Sequence, residues 1–489
     1  FSARSPGPVI QTRSGTDPSI RASHWGIHLT IRALHIVKIA YFVAFLLILL
    51  FIPPGIDTAR GTPGPGDDRP LPLSLAEAVE IAGRGNFDLR MAGFERDQAD
   101  ADFHSSSSVF LPQVHLSETF VSTDDPLSVF GLKLKQERVG PADFDPALLN
   151  NPPVFRNFTT KIEVRQPLLN PDGFFGRHAA SKAADAAGAK FERTRQGTVL
   201  AVKTAYFGLA LSMRSLEVIS ASLEAATAYR TQAKDFLDRG MIRESDYLMA
   251  DVRVLELEMK KVEAESGIRD AGDNLRTMLG MGDSVRIVPT DTLSLLGVGD
   301  LAYDAERVFE SRSDMAAIRN GIDAASAALN MERAGWLPTL NAFGSYELNN
   351  DHIAGTKGRS WTVGAMAQWT IFQGFDRIGG MQKAAAKRSA LETEYEKMKA
   401  DGGRELSSAV RNVESAGLRV DLAARAVDQA AESFRVLSDR YAAGLERTPD
   451  LLQADAMLLN ARLTHLQAVY QHNASVFMLE FLLERKVSL

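Results

Sequence analysis

Few residues of this chain stand in patterns that do chemistry. There are no cysteines, which removes thiol nucleophiles, disulfides, CxxC metal sites and a lipid-modified N-terminal cysteine together. The nine histidines make no HExxH motif, and no HxxxH pair stands beside acidic residues, so neither zinc nor a histidine base is expected. Gly83-Arg84-Gly85 opens a GxG but lacks the third glycine and a preceding strand, both of which a dinucleotide site requires. Ser105 to Ser108 precede Pro112 and read as the end of a helix before a strand. The expectation is transport without catalysis, cofactor or metal.

What remains is a pair of acidic turns. Residues 239–251 read RGMIRESDYLMAD and residues 440–455 read RYAAGLERTPDLLQAD, with Gly240 and Gly444, Asp246 and Asp450, Leu248 and Leu452, and Ala250 and Ala454 all separated by 204. Glycine takes the left-handed backbone that ends a helix, and Thr448-Pro449 supplies a cap and a first-turn proline for the next one. Asp450 then falls in a first turn, where the helix dipole favours a carboxylate. Asp455 lies off the face of Asp450 and reads as ordinary surface.

These turns belong to a larger duplication. LSLAEAVEIAGRGNFDLRMA (73–92) followed by FLPQVHLSETF (110–120) recurs as LAYDAERVFESRSDMAAI (301–318) followed by WLPTLNAFGSYEL (336–348), and Pro112 and Asp88 map to Pro338 and Asp314 at an offset of 226. The fall of the offset from 226 to 204 places an insertion in the first copy. Each copy reads helix, strand, loop, strand, long helix, glycine turn, helix. The strands are expected at about 113–123, 157–168, 339–349 and 360–372. Phe158, Thr160, Ile162 and Val164 alternate with Lys161, Glu163 and Arg165, and Trp361, Val363, Ala365, Ala367, Trp369 and Ile371 alternate with Thr362, Gly364, Gln368 and Thr370. A period of two with one apolar face suits a barrel wall between lipid and water; a half-buried strand of a soluble sheet shows the same alternation. The insertion is the loop 124–156, with Pro126, Pro141, Pro146, Pro152 and Pro153, against a short loop at 350–359.

Between Gly374 and Gly444 no proline interrupts, and Leu406, Ala409, Val413, Ala416, Val420, Ala423, Val427, Ala430, Phe434, Leu437 and Tyr441 recur at spacings of three and four. That is a heptad seam. The first copy carries nearly the same seam from Val202 to Leu237, with Ser212 and Arg230 at two of its positions. A helix of roughly 65 residues spans about 100 Å, more than a compact domain needs.

The chain has 489 residues, a formal charge of −6 and a pI near 5.9, with no basic footprint for nucleic acid. Residues 39–52, IAYFVAFLLILLFI, follow Arg32, His35 and Lys38 and precede Pro53, Pro54 and Gly55, a signal-peptide pattern for which an inner-membrane anchor is the alternative. The organisation expected is leader and signal peptide at 1–59, a linker at 60–72, a first repeat at 73–283, a connector at 284–300 and a second repeat at 301–489.

The paired LSLAEAVEIA…FLP-strand segments, the QPLLNPDG stretch at 166–173 and the two Gly-x5-Asp-x-Leu-x-Ala turns together resemble the TolC-type outer membrane efflux protein family (outer membrane factors), over about residues 73–487. That resemblance implies a mainly α fold with a β-barrel portion. Duplicated long-helix hairpins and four transmembrane strands per chain would form a homotrimeric α/β barrel in outer-membrane lipid, with a long periplasmic extension. Four strands cannot close a barrel alone, so the physics also asks for an oligomer. The implied function is the exit duct of a tripartite efflux pump or type I secretion system, fed by an inner-membrane pump or ABC exporter and opened by a periplasmic adaptor (membrane fusion) protein. A periplasmic coiled coil without a pore is the alternative, and an outer-membrane enzyme a further one.

The resemblance also implies residue roles. Asp450 matches an aspartate ring that constricts the periplasmic mouth, while the second acidic position one turn on is Gln453 here, a departure that halves the ring's charge. Tyr441 and Asp246 match a latch between the two hairpins. An arginine that helps that latch is replaced by Glu446, so Arg447 or Arg243 would have to substitute. Gly240, Met241 and Ile242, with Gly444 and Leu445, match the surface on which the adaptor docks.

Overall fold

The computed structural model describes residues 70–487, apart from Ser284 and Asp300. The apolar run 39–52, the rest of the leader and residues 60–69 of the expected linker lie outside the described residues. In chain order the elements are β1 (Pro70–Leu73), α1 (Leu75–Gly85), α2 (Phe87–Ser105), β2 (Gln113–Thr123), α3 (Pro126–Lys135), α4 (Pro146–Asn150), β3 (Phe155–Leu169), α5 (Pro171–Asp238), α6 (Glu244–Leu279), β4 (Arg286–Pro289), α7 (Ala305–Ser311), α8 (Ser313–Ala334), β5 (Thr339–Asn350), β6 (Gly358–Gln368), α9 (Asp376–Ala442) and α10 (Thr448–Leu483).

Local chemistry starts each repeat. Ser74 caps α1 in a reciprocal box: its hydroxyl accepts from the Glu77 N–H at 3.3 Å, and Glu77 Oε2 accepts from the Ser74 N–H at 2.9 Å, satisfying two donors that a helix start otherwise leaves open. In the second copy Asp304 caps α7, its carboxylate accepting from the Glu306 and Arg307 N–H groups.

The long helices are α5 and α9, with 68 and 67 residues, or about 100 Å each at 1.5 Å per residue. α1, α2, α6 and α8 pack along α5, and α8 and α10 pack along α9, so shorter helices stacked in succession cover each long one. The seam of α9 is buried from Leu406 through Ala423, loosens to half-buried at Val427, Ala430, Phe434 and Leu437, and closes again at Tyr441. Its alanines allow close approach of the neighbouring helix while leucine and valine fill the remaining space.

The proline-rich end of the expected linker is a strand. β1 pairs in parallel with β4, Pro70 opposite Arg286 through Leu73 opposite Pro289, so neither the linker to residue 72 nor the connector 284–300 is free of structure. The small two-stranded sheet can hold prolines because each strand has only one partner. It rests on the middle of α5, where Leu73, Ala78, Ala82, Val202, Tyr206, Leu275 and Ile287 form a core. The Tyr206 hydroxyl lies 2.8 Å from the Leu73 carbonyl and 2.9 Å from Asp291 Oδ2, and it accepts from the Asp291 N–H at 3.1 Å. Burial pushes this phenol above its usual pKa. Tyr206→Phe leaves those groups without their shared partner and is expected to cost about 1–3 kcal/mol, read as a lowered unfolding midpoint of the detergent-solubilised protein; an unchanged midpoint refutes it.

The four remaining strands form one antiparallel sheet in the order β2-β3-β5-β6. Its register aligns Val114, Val164, Gly344 and Val363 in one row and Leu116, Ile162, Tyr346 and Trp361 in another. Leu116 is 72% exposed and Trp361 74%, so this apolar face has no cover among the described residues. The opposite face carries His115, Ser117, Lys161, Glu163, Ser345, Glu347 and Thr362, with Lys161 paired to Glu163 at 2.9 Å.

Two boundaries differ from the sequence expectation. β6 ends at Gln368 rather than at 372, because the Trp369 indole donates to the Trp336 carbonyl at 3.0 Å and the chain then reverses through left-handed Gly374 and Phe375. The 124–156 insertion is also more ordered than a loop. Pro126 and Pro146 open α3 and α4 behind the caps Asp125 and Asp145, and Pro141 opens a short 3-10 turn, positions where a missing N–H costs nothing. The insertion is bound to the polar face of the sheet by Gln136 Nε2 donating to Asn157 Oδ1 at 2.7 Å and by a Lys135–Glu347 pair at 3.1 Å.

Candidate functional site

The two hairpin tips are built alike. In the first, the Gly240 N–H reaches the Leu237 carbonyl and the Met241 N–H the Phe236 carbonyl, both at 2.8 Å. In the second, Gly444 reaches Tyr441 and Leu445 reaches Arg440, both at 2.9 Å. These are paired Schellman closures, which need a left-handed residue after the helix, and Gly240 and Gly444 have φ of +70° and +72°. Met241 and Leu445 are 57% and 69% exposed; Ile242 is half-buried. The tips touch, since a Cβ on Gly444 would lie 3.6 Å from Met241 Cε.

Each following helix has an arginine at its N-cap, Arg243 in the first tip and, in place of the expected Thr448, Arg447 in the second, and carries an aspartate three residues on. The Arg243 N–H donates to Asp246 Oδ2 at 3.3 Å, a capping contact favoured by the dipole. In the second tip the side chains meet instead: Arg447 Nε lies 2.9 Å from Asp450 Oδ2 and Nη2 lies 3.4 Å from Oδ1. Asp450 is half-buried and Gln453 exposed. Glu446, in the place where the family resemblance puts an arginine, pairs with Arg440 at 3.0 Å.

Tyr441 is 1% exposed. Its ring lies 5.6 Å from that of Phe236, and its hydroxyl lies 3.3 Å from Thr448 Oγ1. Burial pushes the phenol above its usual pKa, the Thr448 bond opposes this, and the Asp246 carboxylate adds to the rise. Tyr441 therefore keeps its proton at neutral pH, with its hydroxyl against Thr448 in its own hairpin and Asp246 close enough to act on it. Farther up, the Tyr229 hydroxyl meets Ser438 Oγ at 2.9 Å, a second contact between α5 and α9.

Asp455 is not surface. It is 3% exposed, and its Oδ2 accepts from Arg253 Nη2 at 2.8 Å and Nε at 3.1 Å. A signal for this stood in the sequence: LLQADAMLLNA from 451 to 461 is apolar nearly all round, which marks a helix enclosed on most sides. A charge inside such a run lies inside too. Asp314, the repeat of Asp88, is likewise drawn into an ion cluster: although burial works against it, Arg312 and Arg193 hold its carboxyl below the usual range.

Among the described residues no helix is long and apolar enough to cross a membrane, and no group of three or more metal-binding side chains converges. The sheet with its uncovered apolar face, the long paired helices and the duplicated tips describe a channel-tunnel subunit. The outer membrane efflux protein model matches residues 79–281 and 305–483, and the chain belongs to that family. It is 21% identical over 402 residues to the proteases secretion protein PrtF of Dickeya chrysanthemi, covering 80% of this chain and 83% of that one. It is 23% identical over 295 residues to the outer membrane protein TolC of Vibrio cholerae, covering 59% and 62% of the two chains. The crystal structure of the Campylobacter jejuni CmeC outer membrane channel superposes with a TM-score of 0.72 at 16% identity, covering 84% of this chain and 85% of that one. The protein is thus a transport component of the outer membrane and not an enzyme.

Proposed function

We propose that three copies of this chain form the exit duct of a tripartite efflux pump or type I secretion system, gated at its periplasmic end and opened by an adaptor protein. The observation that carries the proposal is the sheet. β2 and β6 lie at its edges, one face is apolar and exposed, and backbone groups at a bare edge cannot be left in lipid. Joining β6 of one copy to β2 of the next, three times over, satisfies every edge. Three sheets of four strands make a twelve-stranded barrel, and helices about 100 Å long extend it as a tunnel.

The mouth of that tunnel is the tip cluster. Tyr441 holds the second hairpin against the first by packing on Phe236 with the Asp246 carboxylate nearby, and Asp450 lines the constriction together with uncharged Gln453. Arg447 partly neutralises Asp450, so this ring attracts cations more weakly than a double ring of free carboxylates. Gly240, Met241, Ile242, Gly444 and Leu445 form the docking surface: exposed apolar side chains on two adjoining turns fit the apolar stripe of a helical hairpin. Tyr441→Phe combined with Asp246→Ala is expected to raise single-channel conductance in planar bilayers several-fold and to make cells leak antibiotics. Unchanged conductance and unchanged leakage reject the latch.

A further inference from the structure

The buried pair Arg253–Asp455 is used by neither the turns nor the constriction. Arg253 lies on α6 of the first hairpin and Asp455 on α10 of the second. Their side chains are 9% and 4% exposed, and Arg253 Nη1 also reaches Glu256 Oε2 at 3.4 Å. Val254, which follows Arg253 in the chain, packs with Leu257, Leu459, Ile219 and Ala226 into one apolar cluster. Asp455 is five residues beyond Asp450, or about 7–8 Å along the helix axis.

Comparison of the two repeats shows what is special about the pair. Asp251, the counterpart of Asp455 at an offset of 204, pairs at 3.3 Å with Arg230 inside its own hairpin, with both side chains more than a third exposed. The counterpart of Arg253 at the same offset is Met457. One repeat thus joins its own helices, whereas the other aspartate reaches across to the opposite hairpin. A buried ion pair is a poor device for stability alone, since apolar residues of similar size serve as well or better. It differs from an apolar contact in what separation does: parted charges regain hydration, whereas parted apolar surfaces lose burial.

From this we infer that Arg253 and Asp455 are gate-positioning residues, a clamp that holds the second hairpin against the first above the Asp450 constriction and is released into water when the mouth opens. The inference rests on the gated-duct reading above. Asp455→Asn removes the buried counter-charge and leaves the arginine only the longer contact to the half-exposed Glu256, an unfavourable state, and so disfavours the closed mouth. Arg253→Met with Asp455→Leu leaves an apolar contact that does not regain hydration on parting, and so disfavours the open one.

The test is single-channel conductance in planar bilayers together with export from cells. Asp455→Asn is expected to raise conductance several-fold, and Arg253→Asp with Asp455→Arg to return it toward the parent value. Arg253→Met with Asp455→Leu is expected to keep conductance at or below the parent level and to reduce export. A well-assembled Asp455→Asn channel with parental conductance overturns the clamp, as does a double apolar variant that exports normally. If Asp455→Asn fails to assemble, the apolar double variant alone decides. The Tyr441→Phe, Asp246→Ala channel separates the two ideas: if it opens and Asp455→Asn does not, the clamp is wrong and the gate stands. If neither opens, the gate reading itself fails.

Discussion

Replacing Gly240 and Gly444 together by valine is expected to abolish export while leaving assembled oligomers in the outer membrane. Both positions hold φ near +70°, where a side chain crowds the following carbonyl at about 1–2 kcal/mol per residue, and a β-branched one fits worst. Crowding by neighbours is not the cause, because a Cβ at Gly240 meets nothing within 4 Å and one at Gly444 makes only an ordinary contact with Met241. The penalty falls on the Schellman closures, so the tips unwind and displace Met241, Ile242 and Leu445. The sheet and the rest of each long helix are untouched, and oligomers should remain. Export or drug-susceptibility assays, paired with heat-modifiable bands in outer-membrane fractions, read both halves of the claim. Normal export by the double variant refutes a docking role for the tips.

The second large effect is expected at the other end of the molecule. Val363 is in the middle of β6, 72% exposed, in a row with Val114, Val164 and Gly344. Arginine on the lipid face of a barrel near the bilayer midplane costs about 2–4 kcal/mol, and three copies multiply the penalty. Val363→Arg should therefore strip the protein from outer-membrane fractions. Thr362→Arg, one residue away on the polar face, should assemble close to normally because it faces water. Equal yields of the two variants would mean that the apolar face does not meet lipid.

Much of this architecture was legible in the chain because its causes are local. Gly240 and Gly444 end helices by the sign of one dihedral angle, and Ser74 and Asp304 start helices with their own side chains. The alternation of Trp361, Val363 and Ala365 with Thr362 and Gly364 places each on its face of the sheet whatever lies beside it. The 3-4 seam from Leu406 to Ala423 shows in the same way that one side of α9 is buried.

Other features could not be read locally. The seam does not say against which helix it is buried, and the strand pattern does not say that β3 lies beside β5. Pro70 to Pro72 have the composition of a linker, yet they pair with Arg286 to Val288, more than two hundred residues away. The prolines of the insertion read as loop-formers because the carboxylates that cap their helices, Asp125 and Asp145, matter only once the chain has turned. Asp455 is the sharpest case. Its position in the helix excluded it from the face of Asp450, but the face of α10 that carries it is covered by Arg253 of the other hairpin rather than by water.

The sequence by itself determined the duplication, the long helices, the four strands of the larger sheet and the two turns, since hydrogen bonding and backbone sterics within a few residues decide them. Tertiary structure alone decided which hairpin answers which: that Tyr441 packs on Phe236, that Tyr229 meets Ser438, and that Arg253 crosses to Asp455. A charged side chain selects its partner by distance in space, and that distance is set by helices whose packing faces are chosen roughly two hundred residues apart.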